Sequence, residues 1–246
     1  ILGGLFIIFS FYHYWALPFP KSDKDTININ ATTTITNFIN IFISFFKKPK
    51  IGVVITFILL YRFGEAQLVK IAPLFLLDSL ENGGLALTTT QYGFAYGTLG
   101  TIMLTLGGIL GGFFVAKNGL KSWIIWMALA MKLPDLLYVF MAGAQIENYL
   151  LIIFFIAIEQ FGYGFGFTSY LLYMMMTAEG KHKTAHYALC TGFMALGMML
   201  PGMFSGLLQE TIGYYYFFIW VMFATIPGLL IIRYLPMESN YGKRNH

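Results

Sequence analysis

Six ionisable residues stand inside stretches of sequence that are otherwise apolar: Arg62, Glu65, Lys70, Lys132, Asp135 and Glu159. A charge near the middle of a hydrocarbon span costs about 2.5–3.5 kcal/mol on insertion scales, so each is a functional candidate by default. Arg62 and Glu65 are three residues apart, on one helical face, where they can pair. Lys70 is five residues beyond Glu65 and points to a partly different face, toward another helix. Lys132 and Asp135 are again three apart, around Pro134, and read as a neutral internal pair of structural type. Glu159 has no basic residue at i±3 or i±4. A carboxylate in apolar surroundings is disfavoured in its charged form, which suits Glu65 or Glu159 to carry a proton. Glu159 opens the stretch Gln160-Phe161-Gly162-Tyr163-Gly164-Phe165-Gly166, whose glycines either loosen the backbone around a ligand or let helices pack closely. Tyr61, Tyr163 and Tyr170, with Tyr96, Phe161 and Tyr173, are of the type that stacks on sugar rings or lines a cavity. Aromatic residues make up 18% of the chain, so any single one is more often packing or interfacial belt.

The elements that must hold these residues are membrane-spanning helices. Hydrophobic residues form 58% of the chain and charged ones 11%, against about 25% charged in an average soluble domain. Long apolar runs cover Ile1–Leu17, Ile51–Leu77, Tyr92–Ala116, Lys121–Gly143, Asn148–Thr177, Ala185–Leu208 and Ile212–Leu235. About 20 such residues cross the hydrocarbon as a helix. The runs are continuous rather than alternating, which selects helices over a barrel. The junctions sort by charge. Lys21, Lys24, Lys47, Lys48 and Lys50, then Lys117 and Lys121, then Lys181 and Lys183, then Arg233, Lys243 and Arg244 alternate with junctions holding Asp78 and Glu81, Glu147, and Glu210. The positive-inside rule puts the basic set in the cytoplasm.

Pro18 and Pro20 end the first run, and residues 18–50 form a polar loop. Within it Ile35, Phe38, Ile39, Phe42 and Phe46 recur at helical spacing ahead of Lys47, Lys48 and Lys50, the pattern of a helix lying on the cytoplasmic surface. Later junctions are short and make sequential helices antiparallel neighbours. The expected organisation is therefore one helix over 1–17, a cytoplasmic loop over 18–50, a six-helix bundle over 51–235 and a cytoplasmic tail over 236–246. One span, a long loop and six spans look like a twelve-helix transporter entered at its sixth helix, with the N-terminal half of the same chain as partner to the bundle. The 26 glycines suit close helix contact, and Gly107-Gly108-x-x-Gly111-Gly112 marks one such face.

Other chemistries find no seat. Cys190 is the sole cysteine, so disulfides and thiolate clusters are excluded within the chain. His13 and His246 lack partners at metal-ligand spacing, and His182 and His186 sit at a cytoplasmic junction. Phosphate-binding loops, metalloprotease helices and nucleophile elbows are not found, so neither a cofactor nor a metal nor enzymatic activity is expected. The net charge of +4 is explained by the positive-inside bias, without nucleic acid as a partner.

Residues Gly112 to Lys121 resemble the cytoplasmic loop signature of the major facilitator superfamily, with Gly112, Lys117, Gly119 and Lys121 matching and Ala116 replacing the acid. A closer resemblance, to the AmpG-like muropeptide permeases and their acetyl-coenzyme A transporter relatives, runs through Leu60-Tyr61-Arg62-Phe63-Gly64-Glu65-Ala66, Thr98-Leu99-Gly100 and Glu159 to Gly164. It continues in Lys183 to Leu189, where His186 departs from the pattern, and in Pro227 to Leu230. The resemblance implies an all-α polytopic protein of the cytoplasmic (inner) membrane, a six-helix major facilitator bundle plus one preceding helix. It also implies symport of a small solute, a sugar or sugar–peptide conjugate such as a muropeptide, with protons. A free-standing seven-helix membrane subunit or membrane enzyme is the alternative. Arg62, Glu65, Glu159 and Tyr163, with Tyr61 and Tyr170, are the residues expected at the site.

Overall fold

The computed structural model describes residues 2–17 and 31–244. Pro18, Pro20, Lys21, Lys24 and His246 lie outside the described residues. Every regular element among the described residues is helical, and the chain divides into two units, residues 1–40 and 41–246.

In the first unit, α1 (Leu2–Ala16) has 15 residues, about 22 Å at 1.5 Å per residue. Its large apolar side chains are exposed, Trp15 most of all. α2 (Ala31–Phe46) is the helix that the spacing of Phe38, Ile39, Phe42 and Phe46 predicts, and it runs from the first unit into the second.

The second unit is a bundle. α3 (Ile51–Leu60) and α4 (Phe63–Leu77) form one apolar stretch interrupted at Tyr61 and Arg62. A short α5 (Thr89–Tyr92) starts on a capping box between Thr88 and Gln91. It continues through a π-helical stretch (Gly93–Gly100) into α6 (Thr101–Asn118). α7 (Leu120–Lys132) and α8 (Leu136–Ala144) join through a 3₁₀ turn at Leu133–Asp135 that contains Pro134. α9 (Tyr149–Ala178) is continuous. α10 (Lys183–Leu230) holds one non-helical residue, Gly213 at φ 74 and ψ 168, which divides it into two helices. These two helices are the two separate spans drawn from sequence, and they fold back on each other: Gly197 lies against Leu59 and Gly228 against Leu60. Among the described residues five helical segments are long and apolar enough to cross a membrane, the last of them, Lys183–Tyr234, containing the break at Gly213. The chain is an all-α, multi-pass membrane protein.

Two ends of the bundle differ in charge. At one end the Lys48 ammonium donates to the carbonyls of Thr177 (2.5 Å) and Glu179 (2.8 Å), satisfying acceptors left open at the end of α9. The tail crosses the same end, with Leu120 N–H donating to Tyr241 O (2.9 Å) and Arg244 N–H to Ala116 O (2.8 Å). This brings the Lys48, Lys117–Lys121, Lys183 and Lys243 junctions together. At the other end Asp78 accepts from Asn82 Nδ2 (2.9 Å), Ser79 N–H (2.9 Å) and the Tyr214 hydroxyl (3.0 Å). Gln145 Nε2 donates to Gly83 O there as well.

Those donors, Asn82 first, hold the Asp78 carboxyl below the usual carboxylate range. A lowered folded value means the contribution is present above the unfolded value of about 3.9 and is lost as pH falls through the folded one. The thermal midpoint is therefore expected to drop below about pH 4, and Asp78→Asn should flatten part of that drop. Identical acid limbs for the two proteins would contradict this assignment.

Packing between α6 and α9 is backbone against backbone. A Cβ at Gly107 would strike the Phe161 carbonyl, and one at Gly164 the Leu104 carbonyl. Overpacking costs about 1–3 kcal/mol even when side chains can yield, and here backbone is struck. Gly164→Leu is expected to abolish recovery of monodisperse protein in detergent; wild-type yield and thermal midpoint would show that the two helices are not held this closely.

Candidate functional site

Two apolar clusters fill the bundle. One lies toward the basic end and includes Phe57, Tyr61, Met131 and Tyr170; the other lies toward the acidic end and includes Leu68, Tyr138, Ile156 and Phe218. Arg62, Glu65, Lys132, Asp135 and Glu159 belong to neither cluster and are all buried between them. They fall near the middle of their spans, where charges are most costly.

Arg62 is placed by the interruption between α3 and α4, with φ −104 and ψ 12. Its Nη2 donates to Glu65 Oε1 at 2.7 Å and to the Tyr163 hydroxyl at 2.6 Å, while Nε lies 3.3 Å from Oε1. The guanidinium also faces the rings of Phe167 and Tyr163, 4.8 and 5.4 Å from their centroids, a favourable cation–π arrangement. Nη1 has a weak acceptor, the Met198 sulfur at 2.9 Å. Glu65 sits in the first turn of α4, where the helix dipole favours a carboxylate.

Lys132 differs from the sequence expectation. Its ammonium approaches Glu65 Oε2 at 3.8 Å and lies 5.2 Å from the Tyr61 ring centroid. The expected ion pair with Asp135 is not formed within 4.0 Å, and Asp135 Oδ2 is buried without a hydrogen-bond partner. Lys132 closes α7 and Asp135 lies on the 3₁₀ turn after it, and the ammonium is drawn instead to the Glu65 carboxylate on α4. Lys70 is exposed, and its stem runs along Gly202 of α10.

Glu159 accepts from Gln160 Nε2 at 2.9 Å. The hydroxyls of Tyr96 and Tyr138 share a hydrogen bond beside it. Glu159, Gln160 and Tyr163 form one wall of a cavity of about 320 Å³, with Tyr92 and Tyr96 on a second and Leu68, Val69, Ala72 and Pro73 of α4 on a third. Tyr163 joins this cavity to Arg62. Larger cavities, about 480 and 530 Å³, lie at the basic end among Lys48, Met176 and Met237 or Lys183, Tyr187 and Tyr241, away from the buried charges.

Tyr61 and Tyr170 do not line the cavity. Their rings stack at 4.9 Å and 5°, Tyr61 donates to Gly166 O (3.1 Å) and Tyr170 to Ile58 O (2.7 Å). Both are fully buried struts between α3 and α9. Gly112, Lys117, Gly119 and Lys121 lie at the basic end, remote in sequence from the charges. Gly119 carries φ 87 at the α6–α7 turn, where a side chain would be strained. Tyr96, one of the aromatics expected to line a cavity, does so; Tyr138, which its apolar run marks only as core, is brought beside Glu159 by the fold.

No family model matches the chain. Over 226 residues it is 28% identical to the "Putative transporter AmpG 2" of Rickettsia prowazekii (strain Madrid E), covering 90% of this chain and 52% of that protein. It is 24% identical over 219 residues to the "Putative transporter AmpG 4" of Rickettsia conorii (strain ATCC VR-613 / Malish 7), covering 88% and 51%. Against the "Putative transporter AmpG 1" of Rickettsia bellii (strain RML369-C) identity is 26% over 212 residues, covering 83% and 50%. The chain is homologous to proteins named as AmpG transporters and spans about half their length.

Proposed function

We propose that the chain forms the C-terminal six-helix half of a major facilitator transporter that carries a sugar or sugar–peptide conjugate, such as a muropeptide, across the cytoplasmic membrane together with protons. The observation that carries this reading is the buried mid-span array of Arg62, Glu65, Lys132 and Glu159, of which Glu159 lines a cavity and Arg62 is joined to that cavity through Tyr163. Interior charges are costly and persist where a pathway uses them. The homologues named as transporters support the class. In this reading Arg62 and Tyr163 hold polar groups of the solute, Glu65 or Glu159 carries the proton, and a second helical half closes the cavity. No enzymatic role follows from this arrangement.

The test uses the intact protein in proteoliposomes with a radiolabelled disaccharide–tetrapeptide muropeptide. Uptake above protein-free vesicles that rises with an inward proton gradient supports the reading. Uptake insensitive to the gradient overturns the coupling, and no uptake overturns the solute class.

Orientation follows from the two ends. With Cys190 replaced, single cysteines at Lys48, Lys117, Lys181 and Lys243 are expected to react from the cytoplasm, and those at Glu81, Glu147 and Glu210 from outside. Labelling of position 147 from the cytoplasmic side alone would reverse the assignment.

A further inference from the structure

Glu65 has two cations and Glu159 has none. Arg62 holds one oxygen of Glu65 at 2.7 Å, and Lys132 approaches the other at 3.8 Å from a different helix. Among the described residues no cation forms an ion pair with Glu159, whose neighbours are Gln160 and the Tyr96–Tyr138 hydroxyl pair. Asp135, on the turn after Lys132, completes the set of buried charges. Among the described residues Asp135 and Glu159 are therefore both carboxylates without a cation within 4.0 Å, and of the two Glu159 is the one that lines the cavity, where solute and water can reach it.

From this we infer that Lys132 is a positioning residue that keeps Glu65 ionised throughout the transport cycle, so that Glu159 alone takes up the coupled proton. The inference rests on the transporter reading and divides the labour between the two carboxylates that reading names. Were Glu65 held by Arg62 alone, movement of Arg62 toward a solute would leave Glu65 to bind a proton. Lys132 prevents this, because its ammonium lies 3.8 Å from Glu65 Oε2 and an opposite charge that close favours the carboxylate over the neutral acid. Its ammonium has no closer partner: Nζ is buried and makes no hydrogen bond shorter than the ion-pair distance. It is therefore free to follow Glu65 when Arg62 leaves. Tyr61 beneath the ammonium supplies a ring face rather than a proton acceptor. Arg62 is thereby released as an anion- or hydroxyl-binding group without forcing a protonation on its own helix.

The test is solute exchange across proteoliposomes at equal pH on both sides, scanned over pH, with the same radiolabelled muropeptide and the intact protein. Wild type is expected to show a single protonation step. Lys132→Met should introduce a second step or move the existing one by at least about one pH unit, and Lys132→Arg should restore the wild-type profile. Glu159→Gln should remove the pH dependence, and Glu65→Gln should retain it. A Lys132→Met profile superimposable on wild type, or loss of pH dependence in Glu65→Gln with retention in Glu159→Gln, overturns the inference. Should Lys132→Met fail to fold, the Glu65 and Glu159 variants decide alone. Wild-type protein that exchanges nothing speaks against the solute class of the proposed function rather than against the roles of the two carboxylates, so the two failures are distinguishable.

Discussion

Arg62→Met is expected to lower the thermal midpoint of the intact protein by several degrees and to abolish binding of solute. Removing one partner of a buried ion pair costs about 3–5 kcal/mol, because the surviving charge is left without compensation. Here the loss extends further, since the same guanidinium binds Tyr163 at 2.6 Å and stacks on Phe167. Lys132 remains beside Glu65 and limits the damage, so the variant should still insert. Arg62→Lys should recover much of the stability and little of the binding. A lysine keeps the charge but lacks the planar fork that reaches Glu65 and Tyr163 together. The checks are a fluorescence-monitored thermal midpoint and equilibrium binding of the radiolabelled muropeptide. A midpoint unchanged in Arg62→Met would mean that the pair contributes nothing to the bundle.

Much of the architecture is legible in the sequence because hydropathy and charge act locally. The apolar runs from Ile51 onward coincide with helices, and the alternation of basic and acidic junctions reappears as two chemically different ends. The Arg62–Glu65 contact is legible for the same reason, since residues three apart share a helical face. What is not legible is set by tertiary approach. Spacing pairs Lys132 with Asp135, its neighbour in sequence, yet the approach of α4 gives it to Glu65. Tyr61 and Tyr170 carry the residue type of a sugar platform but are locked as buried struts by carbonyls on neighbouring helices. Tyr96 is legible as a cavity-lining type and does line the cavity, whereas Tyr138 carries no sequence signal and reaches Glu159 through the fold. The boundary between the last two helices, by contrast, is legible: hydropathy draws it between Leu208 and Ile212, and the backbone breaks at Gly213.

The geometry also explains why glycines crowd the residues after Glu159. Gly162 lies against the Ala130 carbonyl and Pro134, and Gly166 against Met127 and Met131. These contacts press α9 onto the segment that carries Lys132 and Asp135. Larger residues there would separate Glu159 and Tyr163 from the charges they are placed to work with. Close packing, rather than a broken helix, is what the glycines provide, since α9 is continuous from Tyr149 to Ala178.

Glu159→Gln carries the other large expected effect and tests the central claim most directly. Glutamine keeps the shape and the hydrogen-bonding edge of the protonated acid but cannot release a proton. It leaves the contact with Gln160 and the wall of the cavity in place, so the solute should still bind and cross. The measurement is uptake of radiolabelled muropeptide by proteoliposomes of the intact protein, with and without an inward proton gradient, beside counterflow exchange without one. Gradient-driven accumulation is expected to fall to the level of simple equilibration, with exchange within about twofold of wild type, less than the tenfold that a 1.4 kcal/mol change in binding would produce. Accumulation by Glu159→Gln that responds to the gradient as wild type does would contradict the account.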